Sequence, residues 1–119
     1  RLLNLYKKYK IYIASNGFAA VQRNRLKIGN FEKYVTDLFV SEEIGHQKPS
    51  KEFFEICLER MGDPEKENVI LIGDNIHADV FGGNSVGIDT VWFNRNKDKT
   101  EKIIPTYTVF SLEEIKNIL

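Results

Sequence analysis

The sequence is short of several things, and each scarcity removes a class of protein. Cys57 is the single cysteine among 119 residues, which excludes an intrachain disulfide and any cysteine metal cluster. A chain with no disulfide framework suits the reducing cytoplasm, the compartment we expect. There is no excess charge of either sign, because 17 Lys+Arg balance 17 Asp+Glu. Nothing electrostatic therefore draws the chain to nucleic acid or to an anionic membrane. Apolar runs end after a few residues, far short of the ~20 that cross a bilayer, and no signal-peptide pattern opens the chain. The only methionine is Met61 and the first residue is Arg1, so we expect translated residues upstream.

What remains is ordinary globular material: 42% hydrophobic and 29% charged residues, in the range of soluble domains. The length suits one domain, 1–119, able to bury roughly two-thirds of its unfolded surface. We expect a monomer or weak dimer, with neither nucleic acid nor a membrane as partner.

The pattern alternates helix and strand. Leu2, Leu3, Tyr6 and Tyr9 stand at helical spacing. Residues 11–14 read as a buried strand feeding the tight loop Ser15-Asn16-Gly17. A helix over about 18–28 closes at Gly29-Asn30, and residues 37–41 form a second strand. Ser50 is placed to cap a helix over 51–61 with an apolar face of Phe53, Phe54, Cys57, Leu58 and Met61, stopped by Gly62. Residues 69–72 make the clearest buried strand, ended by Gly73-Asp74. Residues 77–86 read as a weak helix because of Gly82 and Gly83. Strands over 90–93 and 107–109 follow, and Ser111 with Glu114 predicts a capping box for a helix over 112–118. Apolar strands alternating with helices give an α/β fold with a parallel sheet covered on both faces. Residues 94–102 read as a charged surface loop.

Ligands of open parallel sheets bind at the carboxyl ends of strands, where three polar groups fall. Ser15-Asn16-Gly17 offers a hydroxyl and backbone N–H groups to a phosphoryl oxygen. Lys48, before Pro49, supplies positive charge for substrate and transition state. Asp74 is a hard oxygen ligand of the kind Mg²⁺ takes while keeping waters and a phosphate oxygen. Asp79 is placed to orient a metal-bound water or the Lys48 ammonium. Each alone reads as a turn or surface punctuation; the order of all three, each after a predicted strand, points to a site. His46, His77, Cys57 and Trp92 read as loop, loop, core and strand packing.

With these motifs the chain resembles the haloacid dehalogenase superfamily. IYIASNG is similar to its second motif, GHQKPSKEFFE to its third, and VILIGDNIHADVFGGNSVGIDTVWFN to its fourth. The resemblance covers about residues 11–93 closely, and FVSEEIGHQKPSKEFF with IGDNIHADVFGG looks nearest to the bacterial pyrimidine nucleotidase branch. It implies a three-layer Rossmann-like core and a Mg²⁺-dependent phosphatase acting on a small phosphomonoester, a nucleoside 5′-monophosphate in this branch. Ser15, Asn16, Gly17 and Lys48 would bind phosphate, Ser15, Lys48, Asp74 and Asp79 would be catalytic, and Asp74 would ligate Mg²⁺. Asn75 and Asp79 would support the metal through water. Metal-free dehalogenases share a Ser-Asn second motif but lack the acidic ligand, so Asp74 favours phosphoryl transfer.

The family's first motif, Asp-x-Asp, occurs nowhere in the sequence. The resemblance places that nucleophile, on a central strand, upstream of a helical cap, with residues 1–9 returning from the cap and 11–119 forming a partial core. Without it the chain is expected to be inactive alone, since the aspartyl-phosphate route needs that carboxylate. Two other readings stand beside this one: a non-catalytic phosphate- or partner-binding fragment, and a phosphatase for another small metabolite. A receiver-like signalling domain would need an acidic pair on its first strand, which IYIAS lacks.

Overall fold

The structure is a computed structural model that describes residues 8–100 and 102–119. Leu2, Leu3 and Tyr6, on which the first predicted helix rests, lie outside the described residues. The fold is α/β with parallel strands, as the sequence predicts. The strands fall into two ladders, however, and the chain divides into two compact units, one ending at Gln47 and one running from Lys48 to Leu119.

In the first unit, β1 (Tyr12–Ser15) pairs in parallel with β2 (Asp37–Val40), Tyr12 opposite Asp37 and Ser15 opposite Val40. The Tyr12 and Phe39 rings stack at 5.5 Å, a contact on one face of the ladder. Helix α1 (Ala19–Ile28) connects the two strands. It closes near Gly29-Asn30 as predicted, with Asn30 taking the left-handed conformation at φ 59°. The second strand is one residue shorter than predicted. Ser41 opens the short helix α2 (Ser41–Ile44), which ends on left-handed Gly45.

In the second unit, α3 (Lys51–Arg60) buries Phe53, Phe54 and Cys57, while Leu58 and Met61 are half-buried. The predicted Ser50 side-chain cap is not made; its hydroxyl lies 3.4 Å from a Glu52 carboxylate oxygen instead. Left-handed Gly62, φ +92°, provides the stop. Strands β3 (Ile70–Gly73), β4 (Asp89–Phe93) and β5 (Tyr107–Val109) form a parallel sheet in that order. Val91, Val109 and Ile115 make a core flanked by Ile70, Phe93, Ile118 and Leu119. The connection from β3 to β4 is a π-helical turn, Ile76–Phe81, running into α4 (Gly82–Ser85). Gly82 is required there, because a Cβ would collide with the buried Phe54 ring. The glycine that weakens the helix signal is what lets the helix approach.

The last helix, α5 (Leu112–Ile118), lacks the Ser111 backbone cap. Glu114 reaches back to the Phe110 N–H at 3.2 Å rather than to that of Ser111. The loop after β4 is less purely solvated than its charges imply. Asn94 is buried, donating to the Asp98 carbonyl and accepting from the Asp98 N–H, both at 2.8 Å.

Candidate active site

In the first unit, β1 delivers Ser15-Asn16-Gly17 at its carboxyl end. Parallel pairing of Ser15 with Val40 brings the start of α2 alongside this loop. Ser41 Oγ accepts from the Gly17 N–H at 2.9 Å and donates to the Gly17 carbonyl at 3.3 Å, while a Glu42 carboxylate oxygen accepts from the Ala19 N–H at 2.9 Å. The Gly17 amide, expected to face phosphate, is therefore already bonded to Ser41. The Ser15 hydroxyl makes a long contact, 3.4 Å, with the Asn16 carbonyl, which leaves it able to turn toward a ligand. Ser41 and Glu42 went unnoticed in the sequence. Their signal was position: polar residues immediately after a parallel strand.

In the second unit, Lys48 follows Gln47 directly and precedes Pro49 through a cis peptide. Its Nζ lies 2.6 Å from Asp79 Oδ1, with the two side chains only 13% and 8% exposed. The second Asp79 oxygen accepts from the Asn75 N–H at 3.2 Å. Gly73 makes this possible, since a Cβ there would run into the Asp79 carboxylate. Of the two roles expected for Asp79, the geometry includes orientation of the Lys48 ammonium. Burying two charges is tolerable only when they are paired and hydrogen-bonded in this way.

Asp74 stands one residue beyond β3 and is exposed. Among the described residues its carboxylate accepts no hydrogen bond and makes no ion pair, whereas Asn75 and Asp79 nearby are both hydrogen-bonded. Asn75 Oδ1 accepts from the His77 and Ala78 N–H groups at 3.1 and 2.9 Å, capping the π-helical turn. What Asn75 has left for a bound water is therefore its amide nitrogen. His77 is exposed and stacks on Phe81, centroids 5.2 Å apart. His46 is exposed beyond Gly45.

No group of three or more His, Cys, Asp or Glu gathers among the described residues to hold a metal ion. A structural zinc-type site is thus not built there. A lone unengaged carboxylate at a strand end fits Mg²⁺, which binds through one or two carboxylates plus substrate oxygens and retains water. Cys57 lies on the buried face of α3, where burial pushes its thiol up to about 12 against the lowering pull of Arg60 and Lys48, which disfavours the thiolate that nucleophilic chemistry needs.

A family model for HAD-hydrolase-like proteins matches residues 46–115. The chain belongs to the HAD hydrolase superfamily. Bacillus subtilis YfnB, a HAD-hydrolase by name, is 40% identical over 117 residues, covering 98% of this chain and 50% of the relative. The Escherichia coli pyrimidine 5′-nucleotidase YjjG is 40% identical over 111 residues, 92% of this chain and 49% of its own length. The Streptococcus pneumoniae pyrimidine 5′-nucleotidase PynA is 36% identical over 119 residues, with shares of 95% and 50%. The crystal structure of YfnB, bound to magnesium, superposes with a TM-score of 0.95 at 38% identity, over 98% of this chain and 52% of that one. The HAD chain thus spans about half the length of the relatives it matches. No helix among its described residues is long and apolar enough to cross a membrane.

Proposed function

We propose that this HAD chain supplies phosphate- and Mg²⁺-handling residues to a phosphomonoesterase whose substrate is a nucleoside 5′-monophosphate. The observation that carries the proposal is Asp74, a carboxylate without a partner among the described residues, at the carboxyl end of a parallel strand. Neighbouring polar groups at that end are bonded to one another, which leaves the Asp74 carboxylate available to a divalent cation. Support for Mg²⁺ comes from the magnesium-bound YfnB structure, and support for the substrate from the two nucleotidase relatives.

Asp74 would hold the ion, with Asn75 and Asp79 behind it. When bound, Mg²⁺ supplies charge neutralisation on phosphoryl oxygens. Lys48, fixed by Asp79, adds a positive charge that needs no reorganisation during reaction. In the other unit, Ser15 offers a hydroxyl donor to a phosphoryl oxygen, supported by Asn16. The sequence has no Asp-x-Asp, so we place the nucleophile outside these residues and assign to them alone binding without turnover.

The test is Mg²⁺-dependent phosphate release from nucleoside 5′-monophosphates by the full-length protein. Activity should vanish with EDTA and fall by about 10²-fold or more in Asp74→Asn, the scale of losing a preorganised charge partner. Undiminished activity in that variant would remove Asp74 from the mechanism.

A further inference from the structure

Trp92 has a role beyond strand packing. It is the chain's single tryptophan, is 5% exposed, and lies on β4 opposite Gly73, the last residue of β3. The ladder stops at that rung, so the next carbonyl, that of Asp74, has no backbone donor from β4 within the regular pairing. Trp92 Nε1 donates to this carbonyl at 3.1 Å. The indole thereby extends the ladder by one bond beyond its last backbone pair.

The Asp74 carbonyl and the Asn75 N–H belong to one peptide group. Its oxygen accepts from Trp92 and its N–H donates to Asp79 Oδ2 at 3.2 Å. Both ends of that planar unit are thus held, which fixes ψ of Asp74 and φ of Asn75. With that peptide plane held, the Asp74 Cα–Cβ bond beside it is restrained, and only the side-chain torsions remain to turn the carboxylate. Side chains that hold a metal ligand through hydrogen bonds govern affinity without touching the ion.

We infer that Trp92 is a positioning residue for Asp74, its indole N–H and the Asp79 carboxylate clamping the 74–75 peptide so that the Asp74 carboxylate is preset for a divalent cation. This rests on the reading of Asp74 as a Mg²⁺ ligand given above. The Phe93 side chain, next on the strand, has no donor and could not substitute. Nor could a Phe at position 92, which would fill much of the same space without the N–H.

The experiment is calorimetric titration of the protein with MgCl₂ for wild type, Trp92→Phe and Asp74→Asn, with unfolding followed in parallel. Trp92→Phe should remain folded and bind Mg²⁺ about 10-fold more weakly, at the lower end of effects from residues supporting metal ligands. Asp74→Asn should not bind at this site. Equal affinity in wild type and Trp92→Phe, with binding lost in Asp74→Asn, overturns this inference alone. Absence of Mg²⁺ binding in the wild type overturns the functional reading and this inference together. A second measurement does not depend on Trp92→Phe folding. The Trp92 indole N–H resonance of the ¹⁵N-labelled protein should shift on adding Mg²⁺, and should not shift in Asp74→Asn. An indole resonance indifferent to Mg²⁺ in the wild type, where calorimetry shows binding, would equally overturn the clamp.

Discussion

Lys48 and Asp79 meet at 2.6 Å where neither side chain has much access to water. Deleting one charge leaves the other desolvated and unpaired, a loss of about 3 kcal/mol at the low end for buried pairs. Lys48→Met and Asp79→Asn should each lower stability on that scale in urea unfolding. The double variant should lose at least about 1 kcal/mol less than the sum, because the residues share one interaction. Strictly additive losses would show that the two side chains act independently. Both residues were legible in the sequence by their place after strands, and Asp79 by its distance of five positions from Asp74. The Gly17–Ser41 bond was not legible, since it joins positions 24 apart through a register that no local pattern encodes.

At the scale of elements, apolar composition located the strands but not their rank in the sheet. The run 69–72 looked the most buried, yet Ile72 is 37% exposed while Val91 and Trp92 of β4 are buried. Among the described residues β4 is paired on both sides and β3 on one, and the number of neighbours a strand has is not written in its periodicity. Helix α3 was readable because its apolar positions recur at helical spacing, and it sets a pH limit through Cys57. The folded thiol is raised to about 12 from 9.0 by burial, so the unfolded chain ionises first as pH rises. Its contribution to stability is complete below pH 9 and is lost progressively between 9 and 12. Cys57→Ala should be less stable than wild type at neutral pH, by cavity formation, but its stability should fall less steeply across that alkaline window. Parallel stability–pH curves for the two proteins would show that Cys57 is not the group responsible.

Taken whole, the molecule pairs zero net charge with a few locally organised ionic sites. The motifs IYIASNG and IGDNIHADVFGG each include the end of a parallel strand, and QKPSKEFF follows β2 by way of α2. Carboxylates alone do not distinguish the proposed cation site, because an open groove in the second unit is also lined by Glu55, Asp63, Glu65 and Glu67, with Lys51 and Lys66. The difference is local structure: Asp74 leaves a peptide held at both ends, next to a buried ion pair. The central claim, that Asp74 is the cation ligand, is tested most directly by Mn²⁺ broadening of amide resonances, Mn²⁺ standing in for Mg²⁺ on oxygen ligands. At substoichiometric Mn²⁺ the amides of residues 73–79 and the Trp92 indole should broaden first, with no such effect in Asp74→Asn. Broadening centred on Glu55, Asp63, Glu65 and Glu67, or broadening near 73–79 that survives Asp74→Asn, would contradict it.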